Sequence, residues 1–143
     1  MMGAAGTEKP QLELPMLLAR LARLELPPTD VVVGVATGGL VPAALLAYRL
    51  GCPLLTLHLN FRAPDNTPQH PAPVLKAPFD GGAVAGKRVL LVDDVSVTGQ
   101  TLLAARALLP ACELTTLVFK GRADLVVLPE LKGCVRWPWQ ASA

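Results

Sequence analysis

Val89-Leu90-Leu91-Val92-Asp93-Asp94-Val95-Ser96-Val97-Thr98-Gly99-Gln100-Thr101 is the stretch that decides how this 143-residue chain is read. Its apolar start has the pattern of a strand buried on both faces. Two adjacent carboxylates at the end of such a strand are costly unless they are solvated or paired with a ligand. They can accept hydrogen bonds from vicinal hydroxyls, or help hold Mg2+ through water. Val97 to Thr101 then turns into a helix. Backbone N–H groups there, with the hydroxyls of Thr98 and Thr101, can surround a phosphate at the helix N-terminus. A lone Asp pair or a lone Thr-Gly would be no more than a capped helix after a turn. The whole run on a strand–turn–helix points to a ligand.

Working outward, Leu12 to Leu26 has apolar residues at helical spacing, with Pro15 tolerated in the first turn and Pro27-Pro28 ending the helix. Val31 to Val35 reads as a buried strand, and Leu40 to Leu50 as a helix closed by Gly51. In the strand Leu54 to Asn60, Leu55, Leu57 and Leu59 share one side. From Phe61 to Gly86 the periodicity disappears. Pro64, Pro68, Pro71, Pro73 and Pro78 exclude a helix interior and a central strand, so 61–86 is expected to be a mobile loop. Arg88 to Asp93 is a strand, Gly99 to Leu109 a helix, Glu113 to Lys120 a strand and Leu125 to Leu128 a short strand; Val135 to Trp139 is extended. Strands alternating with helices give an α/β fold with a mostly parallel central sheet and helices on both faces. Ligands bind beyond the carboxyl ends of such strands. Three strands end there in distinctive sequences: Ala36-Thr37-Gly38-Gly39, Asp93 to Gly99, and Lys120-Gly121-Arg122.

Composition narrows the class. Hydrophobic residues are 52% and charged residues 17%, which excludes a disordered chain and fits one domain over 1–143, with 1–10 as a loose tail. A net charge of +2 is too small to imply nucleic-acid binding. Cys52, Cys112 and Cys134 have neither disulfide-framework nor zinc-site spacing. Val31 to Tyr48 carries no charge, but Gly34, Thr37, Gly38, Gly39 and Pro42 divide it into strand, turn and helix rather than a membrane span. No signal-peptide pattern opens the chain. A cytoplasmic protein with no membrane or nucleic-acid partner is expected.

The run from Val89 to Thr101 resembles the phosphoribosyl-pyrophosphate (PRPP) motif of type I phosphoribosyltransferases. Over Val31 to Gln140 the chain is most similar to the bacterial xanthine-guanine (6-oxopurine) branch, in which Val74-Leu75-Lys76 also has a counterpart. The resemblance implies that fold, with a small hood from the terminal segments, 121–143 being the hood and base-binding segment. It implies that Asp93 and Asp94 are the catalytic acidic pair, binding the ribose hydroxyls directly or through Mg2+. Ser96, Val97, Thr98, Gly99, Gln100 and Thr101 would wrap the 5-phosphate. Ala36, Thr37, Gly38 and Gly39 would contact the diphosphate, in a loop that often contains a non-proline cis bond. Arg62, His70 and Lys76 would lend charge from a loop that closes over PRPP. Lys120 would meet a carbonyl oxygen of the base, and Trp139 would stack on it, a contact worth ~1–3 kcal/mol per base, with Gln140 alongside. Trp137 has no assigned role. Relatives usually form dimers or tetramers.

Two departures matter. Many relatives carry a basic residue where Thr37 stands. The 6-oxopurine branch usually has an aspartate, acting as general base toward N7, where this chain has Val97, and such assistance is commonly worth ~10²–10⁴-fold. The expected activity is transfer of a phosphoribosyl group from PRPP to a nucleobase, a purine first. The alternatives are a PRPP- or nucleotide-sensing regulator without turnover, and a transferase for a non-purine acceptor.

Overall fold

The computed structural model describes residues 9–60, 74–75 and 77–140. In chain order the elements are α1 (Leu14–Arg23), β1 (Val31–Ala36), α2 (Leu40–Leu50), β2 (Leu54–Asn60), β3 (Val74–Leu75), β4 (Arg88–Ser96), α3 (Gln100–Leu108), β5 (Glu113–Gly121) and β6 (Leu125–Val126). The chain forms two compact units, Leu26–Pro129 and a terminal unit of Met1–Glu25 with Glu130–Ala143.

In the larger unit six strands make one sheet in the order β3-β2-β1-β4-β5-β6. All neighbours are parallel except the short β3, which runs antiparallel along β2 at the edge. Helices cover both faces, as the alternation of elements predicts. On one side α2 approaches β1 so closely that a Cβ on Gly34 would lie 2.6 Å from Cβ of Ala43. On the other, Val31, Val33, Leu91 and Val118 pack with Leu102 and Ala105 of α3 and with Leu109 just beyond it. Each buried Val or Leu contributes about 1.5–3 kcal/mol. Gly51 ends α2 in the left-handed conformation, at φ 67°, where a Cβ would be penalised.

Two expectations change. The strand read as ending at Asp93 continues to Ser96, because β5 is long enough to keep supplying ladder partners: Asp93 pairs with Val118, Val95 with Lys120 and Ser96 with Gly121. The acidic pair therefore lies inside β4, and the turn is confined to 97–99. Within 61–86, β3 and a 3-10 turn at Gly81–Ala83 are ordered, the turn fixed by Gly82 N–H donating to Asp80 Oδ1 at 3.0 Å and followed by the buried Val84. Residues 61–73 and 76 lie outside the described residues, and with them the expected loop residues Arg62, His70 and Lys76.

The terminal unit joins the two ends of the chain. Gln11 and Arg136 form a parallel bridge, Leu12 N–H donates to Arg136 O at 2.9 Å, and Arg136 N–H donates to Pro10 O at 2.8 Å. Arg20 of α1 holds Glu130 through two bonds, at 2.7 and 2.9 Å. The segment read as extended to Trp139 instead turns at its end. Gln140 N–H donates to Trp137 O at 3.1 Å, and Trp137 N–H donates to Gln140 Oε1 at 2.8 Å. The rings of Trp137 and Trp139 stack, with centroids 5.4 Å apart. Stacking on Trp139 is thus the part that Trp137 plays. All three cysteines are free thiols.

Candidate functional site

The three distinctive strand ends belong to adjacent strands, β1, β4 and β5, so the sheet brings them together at its carboxyl edge. The loop after β1 enters through a cis bond between Ala36 and Thr37, the kind of bond the resemblance placed there. Gly38 and Gly39 lie against β4. A Cβ on Gly39 would sit 2.6 Å from Val35 O, 2.7 Å from Val92 O and 3.0 Å from Asp93 Cα. A Cβ on Gly38 would meet both carboxylate oxygens of Asp94, at 2.7 and 2.8 Å. At Gly39 the neighbours are backbone, so only glycine lets the loop pass there; at Gly38 the neighbour is the end of the Asp94 side chain.

Asp93 is buried, and its Oδ1 accepts the Asp94 N–H at 2.8 Å. Half-buried Asp94 accepts the Val95 N–H in turn, also at 2.8 Å. Burial holds the Asp93 carboxyl well above the usual carboxylate range; the adjacent Asp94 charge and a hydrogen bond to Asp94 push the same way, against the backbone bond from Asp94. Ser96 is buried, and its Oγ makes no hydrogen bond. After it the chain turns through exposed Val97 and Thr98 to Gly99 at φ 84°, which opens α3. Thr98 Oγ1 accepts the Gln100 N–H at 3.3 Å, and no side chain of the N-cap residue caps the helix. Beyond Gln100, the first-turn N–H groups of α3 receive no cap from the N-cap residue, which suits an anion. Thr101 is half-buried and Gln100 exposed.

On β5, half-buried Lys120 sits in register with Val95, and its ammonium has no ion pair or hydrogen bond among the described residues. Gly121, at φ 111°, packs onto the Ser96 backbone, and Arg122 N–H donates to Ser96 O at 2.8 Å. Trp139 and Gln140 belong to the terminal unit, where the side-chain oxygen of Gln140 is occupied by the Trp137 N–H. One group at the sheet's carboxyl end escaped the reading of the sequence: His58, the register partner of Ala36, with Nε2 3.3 Å from Thr56 Oγ1. A lone imidazole in an apolar strand gives no signal that separates a site residue from a packed one.

Among the described residues no cluster of three or more His, Cys, Asp or Glu could hold a metal ion. Asp93 and Asp94 each spend one oxygen on a backbone N–H. The pair therefore fits Mg2+ only as a cation shared with oxygens of a bound ligand. No helix of the described residues is long and apolar enough to cross a membrane.

Comparison with known proteins bears on this arrangement. The Phosphoribosyl transferase domain family matches residues 26–136. The crystal structure of a purine phosphoribosyltransferase from Pyrococcus horikoshii superposes with a TM-score of 0.74 at 28% identity, over 96% of this chain and 97% of that one. An adenine phosphoribosyltransferase from Mycobacterium marinum is 33% identical over 111 residues, 73% of this chain and 59% of that protein. A xanthine-guanine phosphoribosyltransferase from Gluconobacter oxydans is 36% identical over 80 residues, 55% of this chain and 46% of that protein. The chain thus spans about half the length of these curated relatives.

Proposed function

The chain belongs to the phosphoribosyl transferase domain family, and from that premise we propose that it transfers the phosphoribosyl group of PRPP to a nucleobase, a purine first, releasing diphosphate. The observation that carries this reading is the meeting of Gly38 and Gly39 with Asp93 and Asp94 beside the start of α3, whose N-cap is a glycine. A ribose whose hydroxyls bind Asp93 and Asp94 has a diphosphate loop on one side. On the other, the turn from Ser96 through Val97, Thr98, Gly99 and Gln100 to Thr101 is ready for its 5-phosphate.

The chemistry asked of these residues is positioning and charge management. Asp93 and Asp94 fix the ribose hydroxyls. Ala36, Thr37, Gly38 and Gly39 hold the leaving diphosphate by backbone groups and one hydroxyl. Mg2+, held jointly by the acidic pair and the substrate, would neutralise charge on the diphosphate. Lys120 donates to an oxygen of the base. Trp139, already backed by Trp137, offers its ring for stacking, and base-dependent quenching of tryptophan fluorescence tests that role separately. A dimer or tetramer is proposed by analogy with relatives.

Calorimetry with PRPP and Mg2+ tests the shared core of the reading. If the double variant Asp93→Asn/Asp94→Asn binds PRPP as tightly as the wild type, the site is misassigned. Diphosphate release with guanine, xanthine, hypoxanthine and adenine then separates catalysis from binding. Silence across all four would sink the purine reading. Val97 supports a second reading, a sensor that binds PRPP or a nucleotide without turnover, because its apolar side chain cannot move a proton.

A further inference from the structure

A cavity of about 230 Å³ lies where α3, β5 and the connection to β6 meet. Leu102, Leu103 and Arg106 of α3 line it, with Thr116 of β5 and with Arg122 and Asp124 of the connection. Gly99, the last residue of the 97–99 turn, completes the lining. The two guanidiniums come from separate elements, and neither has an ion pair or hydrogen bond among the described residues. One exposed arginine without a partner is ordinary; two that border one concave space suit a phosphate. Asp124 is the opposing charge. Its Oδ2 accepts from both the N–H and the hydroxyl of Thr116, at 2.9 and 3.1 Å, and its own N–H donates to Thr116 Oγ1 at 2.9 Å. It is therefore committed to β5, and the lining keeps an excess of positive charge. Leu103 is 67% exposed and gives the cavity an apolar rim. The space is smaller than most ligand pockets, which run ~300–1,000 Å³, so it suits one small ligand whose ring rests on that rim.

We infer that this cavity binds a nucleoside monophosphate, its phosphate between Arg106 and Arg122 and its base on Leu103, and that the bound nucleotide weakens PRPP binding. The regulatory half rests on the phosphoribosyl-transfer reading above, in which the turn ending at Gly99 wraps the 5-phosphate. Gly99 then borders both ligands. A Cβ built on it meets nothing within 4 Å, so the space beside the turn is open. Two anions on either side of one glycine repel each other. Arg122 adds a second link, because its N–H donates to Ser96 O at 2.8 Å, at the strand end from which the turn starts. The effect is reciprocal: PRPP weakens the nucleotide by the same factor. Nucleoside monophosphate is the product class of the proposed transfer, so the arrangement is control by product at a site apart from the transfer site.

The test is calorimetry with GMP on protein saturated with PRPP and Mg2+, so that the transfer site is filled, together with the release of labelled PRPP into excess unlabelled PRPP. GMP should bind the saturated protein, and Arg106→Ala/Arg122→Ala should weaken that binding by roughly tenfold or more. Arg106→Ala alone should leave PRPP affinity unchanged when GMP is absent. GMP should speed the release of bound PRPP about fivefold or more, which a ligand that only competes for the transfer site cannot do. GMP that binds only when PRPP is absent, or equally well to the double arginine variant, overturns the site. Inorganic phosphate binding as tightly as GMP overturns the nucleotide as its ligand. A release rate that GMP does not change overturns the regulation. Failure of the wild type to bind PRPP would instead remove the parent reading, and the arginine variants would then decide the site alone.

Discussion

The carboxylate of Asp94 fills the space that a side chain on Gly38 would need. A loop leaving β1 and a carboxylate projecting from β4 therefore share one position, and the proposed diphosphate and ribose subsites become a single structure. A negative ligand on Gly38 would lie beside a negative side chain. That neighbourhood is tolerable with a cation between them and unfavourable without one.

Gly38→Ala should leave the fold intact and weaken PRPP binding. The new methyl meets the far end of the Asp94 side chain, which can rotate away, at the cost of its 2.8 Å bond from the Val95 N–H. A hydrogen bond to a charged group is worth about 1.5–3 kcal/mol, so affinity should fall by roughly ten- to a hundredfold in the presence of Mg2+. Calorimetry measures this, with a melting curve as the control for folding. Unchanged affinity would show that Asp94 does not need its present position.

Asp93→Asn should stabilise the ligand-free protein while abolishing PRPP binding. Burial and the neighbouring Asp94 raise the Asp93 carboxyl above its ordinary value of 3.8. For a raised carboxyl, stability is fully present at pH below that ordinary value and is lost as pH rises and the buried group must ionise. The asparagine keeps the acceptor for the Asp94 N–H and removes the charge. Its melting temperature should exceed the wild type's by about 3–8 °C at pH 7, and the gap should close below pH 4. A lower melting temperature at neutral pH would contradict this account.

The sequence revealed most where one periodicity ran unbroken between punctuating residues. Leu40 to Leu50 and Leu54 to Asn60 appear with the bounds expected of them, because Gly51 ends the helix and alternating leucines mark the strand. The end of β4 was misread because Asp93 and Asp94 look like strand terminators, and nothing local reveals that β5 keeps pairing as far as Gly121. The turn at Trp137 depends on a side chain, Gln140, bonding to backbone, which has no period. In the site, the acidic pair and the glycine pair were each legible as chemistry. That Gly38 lies against Asp94 was not, since the contact joins residues distant in the chain and exists only once β1 and β4 are paired.

The ion pair of Asp30 and Arg88 should make its contribution to stability vanish in acid. Asp30 accepts the Arg88 N–H at 2.9 Å and two guanidinium bonds at 3.1 and 2.8 Å, which hold its carboxyl down at about 2 against an ordinary 3.8. A lowered carboxyl stabilises the fold above its unfolded value and stops doing so as pH falls through the folded one. Urea denaturation of Asp30→Asn should therefore show a deficit against wild type at pH 7 that shrinks between pH 4 and 2. The pair is solvent-exposed, so the deficit should also shrink in high salt. A deficit that is constant over this pH range would mean that the carboxylate's charge is irrelevant.

Gly121 is where the second and third strand ends depend on each other. At φ 111° it lies in a conformation that side chains rarely adopt, and a Cβ there would overlap the carbonyl oxygen of Ser96 and sit 2.7 Å from that residue's carbonyl carbon. Both parties are backbone in paired strands, so neither can swing away as Asp94 can. Gly121→Ala must therefore separate β4 from β5 at their carboxyl ends, breaking the 2.8 Å bond from Arg122 N–H to Ser96 O and shifting Lys120 against Val95. The cost should be at least about 3 kcal/mol. Gly51→Ala, at φ 67° with nothing within 4 Å of the added Cβ, should cost only about 1 kcal/mol. Denaturation of the two variants side by side measures the difference. Equal losses would show that the backbone conformation alone matters and that the fit of Gly121 against Ser96 does not.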